Sequence, residues 1–271
     1  MRILEILEKE RGEIFVHTLC YIGINAAGKT SFNGSEKELF LLPPGNVSSL
    51  PDDAAGFILP AGEFPADFFF SAGEALFRAV SPSLPFPKLS GERGGFVTVS
   101  AEAKFLRPLR AGVLTVSDKG SRGEREDTSG PALAERLAGI GCDTAAAAVV
   151  PDEHEAIVTI LKDWADSKDL HLILCTGGTG FSPRDVTPEA LEAIAGRKVP
   201  GIGEAMRHAS LKITPKAMLS RANAVIRGES LVISLPGSAR AATECFDAIA
   251  PALRHGVEIL RGWDGECGSP S

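Results

Sequence analysis

One segment of the chain combines glycine, threonine and charged residues in an order typical of a phosphate-binding loop. It reads Cys175-Thr-Gly-Gly-Thr-Gly-Phe-Ser-Pro-Arg-Asp-Val-Thr-Pro-Glu189. Glycines let main-chain N–H groups approach an anion closely, and the N-terminus of a following helix adds partial positive charge. We therefore predict that this loop binds phosphate through Thr176, Gly177, Gly178, Thr179 and Gly180.

A carboxylate follows the glycine loop. Asp185 lies just before a predicted helix and next to Arg184. A carboxylate beside a bound phosphate is unfavourable unless a cation lies between them. Asp185 is therefore predicted to anchor Mg²⁺ or to act as a catalytic acid group, and the alternative is a helix cap.

Other candidate residues follow neighbouring predicted strands. Ser117 and Asp118 end one strand and are predicted to contact a ligand. Asp152 follows the next strand, where capping a helix and belonging to the site are compatible roles. For Asp127 to Ser129, capping and a ligand role stay equally open.

A second strand–turn–helix junction, Leu235-Pro-Gly-Ser-Ala-Arg-Ala241, is also predicted to bind an anion. Gly237 permits close approach, Ser238 can donate a hydrogen bond and Arg240 can neutralise charge. A simple capped turn is the alternative. Weaker candidates, which exposed surface positions explain equally well, are Glu204, Arg207, Ser220 and Arg221.

The elements that position these residues form a regular series from about residue 108 onward. Strands are predicted over 112–117, 144–150 and 170–175, a hairpin over 223–226 and 231–235, and helices over 130–137, 153–165, 187–195, 203–211 and 241–260. Alternating strands and helices predict a three-layer α/β/α fold around a mainly parallel sheet. Ligands of such sheets bind beyond the carboxyl ends of the strands, where the candidate loops lie.

The first third of the chain has a different character. Residues 1–105 predict a smaller, β-rich domain of unknown role, with strands over 14–24 and 39–42 and a helical turn over 73–80. The segment 81–95 is rich in proline, glycine and serine, which predicts a linker. Residues 96–99 and 104–106 are expected to complete this domain.

The first domain also contains a match to a nucleotide-binding motif. Gly23-Ile-Asn-Ala-Ala-Gly-Lys-Thr30 has the spacing of a P-loop. In a P-loop a helix follows the motif directly, whereas here the motif is followed by the turn-like sequence Ser31-Phe-Asn-Gly-Ser35. A hairpin or loop with an exposed Lys29 is the favoured interpretation.

Composition narrows the function classes. A formal charge of −7 with no basic tract argues against binding nucleic acid or a membrane surface. The 5 cysteines are scattered along the chain, which fits a reducing compartment better than a disulfide framework. The N-terminus does not resemble a signal peptide, and no apolar run is long enough to span a bilayer. We therefore expect a cytoplasmic protein. The histidines lack zinc-site spacing, and no G-x-S-x-G elbow of an α/β-hydrolase occurs.

Residues 110–262 resemble the MogA/MoaB family of molybdenum cofactor biosynthesis proteins, which includes the G domain of gephyrin. The similar segments occur in the family's order: Thr115–Asp118, Val150–Glu153, Thr176–Glu189, Pro200-Gly201, Glu204–Arg207, Thr214-Pro215, Leu219–Arg221, Ile226–Gly228 and Leu235–Ser238. The resemblance covers a little over half of the chain and does not extend into the first domain.

The resemblance implies that molybdopterin and Mg-ATP react to give adenylyl-molybdopterin and pyrophosphate. It implies that Asp185 holds Mg²⁺ and that Asp152 is a second functional carboxylate. The residues that it implies bind molybdopterin or nucleotide are Ser117, Asp118, Thr176, Gly177, Gly178, Thr179, Gly180, Ser182, Glu204, Ser220, Arg221, Pro236, Gly237 and Ser238. It also implies a homotrimer, and other enzymes of the pathway are possible partners.

One departure from the family pattern and two competing hypotheses remain. Ala239 stands where the family usually has proline, which loosens the turn modestly. A non-catalytic molybdopterin-binding or scaffold protein is the main alternative to an adenylyltransferase. A P-loop NTPase in the first domain is the other, and it is disfavoured because the required helix is not predicted.

Overall fold

The computed structural model describes residues 1–25, 29–60, 64, 67–80, 86–99 and 101–263. The chain divides into two compact units, Met1–Pro108 and Leu109–Ser271. Each unit has its own apolar core. Within the described ranges, no helix is long and apolar enough to cross a membrane.

The N-terminal unit is built from strands. They are β1 (Glu5–Glu10), β2 (Glu13–His17), β3 (Leu19–Ile24), β4 (Thr30–Phe32), β5 (Ser35–Glu36), β6 (Glu38–Leu42), β7 (Ala54–Ile58), β8 (Phe69–Ala72), β9 (Ala75–Ala79), β10 (Lys88–Arg93), β11 (Gly95–Thr98) and β12 (Ala103–Leu106), with a 3₁₀ turn at Val47–Ser49. An 8-stranded sheet has the order β12-β8-β9-β10-β6-β7-β1-β2, and a 4-stranded sheet has the order β11-β3-β4-β5. Phenylalanines, among them Phe57, Phe70 and Phe77, fill the core. The β-rich character predicted for this part of the chain is therefore present.

The predicted linker over 81–95 is wrong for its second half. Residues 81–85 lie outside the described part of the chain, but β10 pairs with β9 and β6, and β11 begins at Gly95. The glycines here serve close packing, since an added Cβ on Gly91 would lie 2.9 Å from the Thr30 hydroxyl. The helical turn predicted over 73–80 is likewise wrong, because β9 occupies it.

The P-loop-like segment belongs to a hairpin. β3 pairs antiparallel with β4, so that Ile24 lies opposite Thr30, and the main-chain N–H of Asn25 donates to the carbonyl of Lys29 at 3.0 Å. Lys29 is exposed and forms an ion pair with Glu36 at 2.6 Å. Residues 26–28 lie outside the described residues. The hairpin favoured from the sequence is confirmed, and β4 takes the place of the helix that a P-loop requires.

The C-terminal unit has the α/β fold predicted from the sequence. Its strands are β13 (Leu109–Val116), β14 (Cys142–Val150), β15 (Leu172–Thr176), β16 (Arg197–Lys198), β17 (Ala224–Arg227) and β18 (Ser230–Leu235). They form one sheet in the order β14-β13-β15-β18-β17-β16. The first four in that order run parallel, and β17 and β16 add antiparallel pairs at one edge.

Helices cover both faces of this sheet. They are α1 (Asp118–Ser121), α2 (Ser129–Ala138), α3 (His154–Lys162), α4 (Thr187–Ile194), α5 (Pro200–Leu211) and α6 (Ala239–Leu260), with a π turn at Asp163–Ser167 and a 3₁₀ turn at Pro215–Leu219. One core lies between the sheet and α2, α5 and α6, and the other lies between the sheet and α3 and α4. Because the central strands are covered on both faces, most of their residues are apolar, and their carboxyl ends all lie at one edge.

Candidate functional site

The glycine loop leaves the centre of the sheet at the end of β15. The buried Thr176 hydroxyl donates to the carbonyl of Pro236 at 2.7 Å, and the N–H of Gly177 donates to the carbonyl of Leu235 at 3.1 Å. Gly177 and Gly178 have φ of 110° and 62°, a backbone region that favours glycine. The loop is therefore fastened to the end of β18.

The second predicted anion-binding turn lies against the first. A Cβ added to Gly237 would lie 3.1 Å from the Cα of Gly177, and one added to Gly177 would lie 2.1 Å from the carbonyl oxygen of Val116. Three strand ends, those of β13, β15 and β18, therefore meet without room for side chains. The structure brings together two loops that are far apart in the sequence, as expected for the carboxyl edge of a parallel sheet.

Asp118 and Asp152 join two of the candidate loops by reciprocal hydrogen bonds. The N–H of Asp118 donates to the carboxylate of Asp152 at 2.7 Å, and the N–H of Asp152 donates to the carboxylate of Asp118 at 3.1 Å. The helix cap suggested for Asp152 is wrong, because α3 is preceded by Glu153 and has no side-chain cap. Asp152 is therefore free of a capping role and faces the site.

The Asp118 carboxylate is neutralised by an arginine of the glycine loop. Arg184 donates to its two oxygens from Nε at 3.1 Å and from Nη2 at 2.7 Å. This bidentate hydrogen bonding lowers the pKa of Asp118 below its usual range. The contact also ties the exposed part of the loop to the end of β13.

The Asp152 carboxyl has the opposite electrostatic environment. Its pKa is raised, mainly by burial and further by the negative charges of Asp118 and Asp185. A Cβ added to Gly178 would lie 3.3 Å from its Oδ1 atom, so this carboxyl lies directly beside the glycine loop. A cation bound here would relieve the accumulated negative charge.

Asp185 lies next to the same loop, near Gly180. Its Oδ2 atom accepts a hydrogen bond from the N–H of Ser182 at 2.8 Å, and a Cβ on Gly180 would lie 2.8 Å from that oxygen. The alternative of a helix cap is wrong, because Val186 precedes α4 and no side chain caps it. Asp152 and Asp185 therefore lie beside Gly178 and Gly180, respectively.

Arg221 holds this loop in place, and Arg207 contacts the main chain on both sides of Arg221. The Arg221 guanidinium donates to the carbonyl of Gly180 from Nε at 2.7 Å and to the carbonyl of Asp185 from Nη2, and it forms an ion pair with Glu189. Arg207 in turn donates from Nη1 to the carbonyl of Ala222 at 2.8 Å. The Arg221 side chain thus contacts the protein's own main chain rather than lying open to an anion, which differs from the binding role implied for it.

A cavity of about 290 Å³ adjoins the glycine loop on the side of α5 and α6. Its lining is mostly apolar, and the loop contributes Thr179 and Gly180. The other lining residues are Met206, Arg207, Ser210, Ile213, Thr214, Lys216, Ala217, Leu219, Ser220, Pro236, Ala241, Glu244 and Cys245. An apolar cleft with a few polar groups is the usual form of a small-molecule site, and the predicted Ser220 and Pro236 belong to it.

Several predicted residues have local structural roles. Ser117 and Ser238 cap α1 and α6, accepting from the N–H groups of Gly120 and Ala241. Asp127 accepts from the main-chain N–H groups of Ser129 and Gly130, so the capping role left open for it is confirmed. Glu204 is exposed on α5 and is not among the residues that line the cavity.

Thr187 is a site residue that sequence reasoning missed. Its side chain is buried, its hydroxyl has no hydrogen-bond partner within the described residues, and a Cβ on Gly178 would lie 2.4 Å from it. A buried hydroxyl without a hydrogen-bond partner lowers stability unless a ligand or water supplies that partner. In the sequence, Thr187 is simply the first residue of a predicted helix, so no local signal marks it.

The C-terminal unit is similar in sequence to known proteins. Residues 112–255 match the family model described as "Probable molybdopterin binding domain". The chain is 40% identical over 159 residues to a molybdopterin adenylyltransferase of Helicobacter pylori, covering 58% of this chain and 90% of that protein. It is 43% identical over 159 residues to gephyrin of Dictyostelium discoideum, covering 55% of this chain but 22% of gephyrin.

Solved structures give the same result for the fold. The molybdopterin biosynthesis enzyme MoaB of Thermus thermophilus is 48% identical, with a TM-score of 0.55, and the match covers 58% of this chain and 99% of that one. A molybdopterin biosynthesis protein of Mycobacterium abscessus is 33% identical, with a TM-score of 0.54, covering 56% of this chain and 96% of the other. The family resemblance and the fold class predicted from the sequence are both confirmed.

Proposed function

Since this chain belongs to the family of probable molybdopterin binding domains, we propose that its C-terminal unit transfers an adenylyl group from Mg-ATP to molybdopterin. The products are adenylyl-molybdopterin and pyrophosphate. A role in molybdenum cofactor biosynthesis is common to the relatives found, and about 40% identity to a named molybdopterin adenylyltransferase favours catalysis over binding alone.

The observation that carries the proposal is the pair of carboxylates next to the glycine loop. Asp152 lies beside Gly178, and Asp185 lies beside Gly180. Neither caps a helix, and the pKa of Asp152 is raised in part by the charge of Asp185. Two acidic groups held at an anion-binding loop are unfavourable by themselves and become favourable when a cation and phosphate bind together.

The residues present fit Mg²⁺ held jointly with substrate. Within the described residues, no group of three or more His, Cys, Asp or Glu could hold a metal ion unaided. Mg²⁺ at nucleotide sites is usually held by one or two carboxylates, with phosphates and water completing its shell. Asp185 and Asp152 would supply the carboxylates, and the bound ion would neutralise charge on the phosphates.

The remaining steps rest on positioning. A phosphate oxygen of molybdopterin attacks the α-phosphorus of ATP, the new P–O bond forms, and the bond to pyrophosphate breaks. The N–H groups of Gly178, Thr179 and Gly180 hold phosphate oxygens, because that of Gly177 is already bonded to the carbonyl of Leu235. Arg221 keeps the loop from moving. Preorganised dipoles and correct orientation supply most of the catalysis in phosphoryl transfer.

The apolar cavity is suited to the pterin. Its volume of about 290 Å³ and the neighbouring Thr179 and Gly180 would place a flat, polar-edged ring next to the phosphate loop. Pro236 and Ser220 line the same cavity. The assembly of the unit as a homotrimer, and contacts with other enzymes of the pathway, are parts of the proposal that follow from the resemblance alone.

The test is direct assay with molybdopterin and Mg-ATP. We expect Asp185→Ala to abolish adenylyl-molybdopterin formation while molybdopterin still binds, because Asp185 does not line the cavity. Asp163→Ala is the matched control, since Asp163 is an exposed aspartate that pairs with Lys168. Wild-type protein that binds molybdopterin but forms no product would support the scaffold alternative, and normal turnover in Asp185→Ala would reject the assigned role.

A further inference from the structure

The outermost strand of the N-terminal unit exposes an apolar edge. β2 ends the 8-stranded sheet, and among the residues that the structure describes no strand pairs with its outer side. Its central side chains are exposed, by 39% for Ile14, 45% for Phe15 and 66% for Val16. Natural proteins usually protect such edges with lysine, proline or a bulge, and β2 contains none of these.

The hairpin geometry shows which main-chain groups of β2 are free. Arg11 and Gly12 form a two-residue turn with φ of 48° and 85°, as in a type I′ hairpin. The pair next to such a turn, Glu10 and Glu13, is hydrogen-bonded, and bonded pairs then alternate along the ladder. The N–H and C=O groups of Ile14 and Val16 therefore point away from β1.

The sequence of β2 is complementary to itself when it is reversed. We propose that β2 pairs antiparallel with β2 of a second copy of this chain, about a two-fold axis at Phe15. In this register each Ile14 lies opposite Val16 of the second copy, and each Glu13 lies opposite His17. The free groups of Ile14 and Val16 then form four main-chain hydrogen bonds, and apolar pairs and carboxylate–imidazole pairs face each other across the strands.

The polar side chains favour this register over its neighbours. A shift by one pair in one direction places Glu13 opposite Phe15 and His17 opposite Arg11, and the opposite shift places Phe15 opposite His17. Glu13 has no ion-pair partner in the described part of its own chain, whereas the neighbouring Glu8 is already paired with His17 and Lys37. An isologous interface of this kind closes after two copies.

A cysteine placed on the two-fold axis tests the register. Cα atoms of a non-hydrogen-bonded antiparallel pair are about 4.5 Å apart, within the range for a disulfide. We expect Phe15→Cys to give, under mild oxidation, a non-reducing band at about twice the 28.5 kDa of one chain. Glu13→Cys is the control, because its counterpart would be roughly 13 Å away along the strand.

The native cysteines will not obscure this result. Cys20, Cys142, Cys175 and Cys245 are buried, and burial raises the pKa of the Cys20 and Cys142 thiols to about 12. Cys267 lies outside the described residues and is replaced by serine in every variant. Equal cross-linking of Phe15→Cys and Glu13→Cys, or none in either, would overturn the proposed register.

Mass in solution provides the second measurement. We expect Val16→Lys to halve the assembly mass measured by light scattering, because two lysines would then oppose pairing of the edges. Phe96→Lys, at another exposed apolar position of the N-terminal unit, should leave the mass unchanged. An unchanged mass for Val16→Lys in folded protein contradicts the proposal. Neither outcome depends on the reaction proposed for the C-terminal unit.

Discussion

Replacing Arg221 by methionine tests whether the glycine loop must be held by its arginine clamp. Methionine keeps the length and apolar stem of the side chain and removes its donors. The change leaves the N–H of residue 221 bonded to the carbonyl of Thr179 at 3.0 Å. It removes the side-chain contacts to the carbonyls of Gly180 and Asp185 and to Glu189.

The size of the effect follows from these contacts. A hydrogen bond from a charged donor contributes about 1.5 kcal/mol at the lower end of its range, so two carbonyl contacts amount to about 3 kcal/mol. The pair with the half-exposed Glu189 adds less than about 0.5 kcal/mol. Water replaces part of the loss, because the guanidinium side chain is 32% exposed. We therefore expect the free energy of unfolding to fall by about 2–3 kcal/mol.

The catalytic effect should be at least as large. A shift of about 1 Å in the loop misplaces Asp185 and the phosphate-binding N–H groups, and such a shift costs on the order of 100-fold in rate. The loss should appear mainly in kcat. Arg221→Lys should restore the charge without the forked geometry and recover only a small part of the rate.

The two tryptophans make the stability measurement specific. Trp164 and Trp263 are the only tryptophans of the chain and both belong to the C-terminal unit, so urea unfolding followed by tryptophan fluorescence reports on that unit. Arg136→Met is the matched control, because Arg136 forms an exposed pair with Asp247 on α6, and it should change stability by less than about 0.5 kcal/mol. If Arg221→Met retained turnover within about threefold and lost no more stability than this control, the clamp would be unnecessary and the reasoning refuted.

Three further outcomes are expected. Gly177→Ala should unfold at markedly lower urea, because φ is 110° and its Cβ would lie 2.1 Å from the carbonyl oxygen of Val116, whereas Gly201→Ala, with open space around it, should not. Asp152→Asn should abolish turnover yet stabilise metal-free protein at pH 7. Folding raises the pKa of this carboxyl, so the wild type loses stability as the pH rises above the usual aspartate pKa of 3.8, and the stability difference between the two proteins should vanish below that pH. Lys29→Ala should leave turnover near normal, because its ammonium group pairs with Glu36 in a hairpin; a large loss would mean that the P-loop-like match binds nucleotide after all.

Local sequence patterns were sufficient for the elements of the C-terminal unit. Its longer strands contain apolar runs and its longer helices have a regular apolar face, so these elements could be placed within a few residues of their observed bounds. The short α1 and β16 were not predicted. The glycine loop could also be recognised from the sequence as a candidate for phosphate binding, because a simple turn does not need glycine at all three of Gly177, Gly178 and Gly180. In the N-terminal unit the same rules failed over 88–95, where Gly91 packs against Thr30 instead of loosening the chain.

The sequence by itself therefore determined the class of the C-terminal fold, the loop that should bind phosphate, and the carboxylates Asp152 and Asp185 as candidates. Only the tertiary structure decided that Asp118 is neutralised by Arg184, that Arg221 holds the loop, and that the Thr187 side chain lies buried beside Gly178. The physical reason is the separation along the chain of the residues that interact. Strands, helices and turns depend on neighbouring residues, whereas charge pairing and burial depend on side chains that approach from distant parts of the chain, and no local pattern records them.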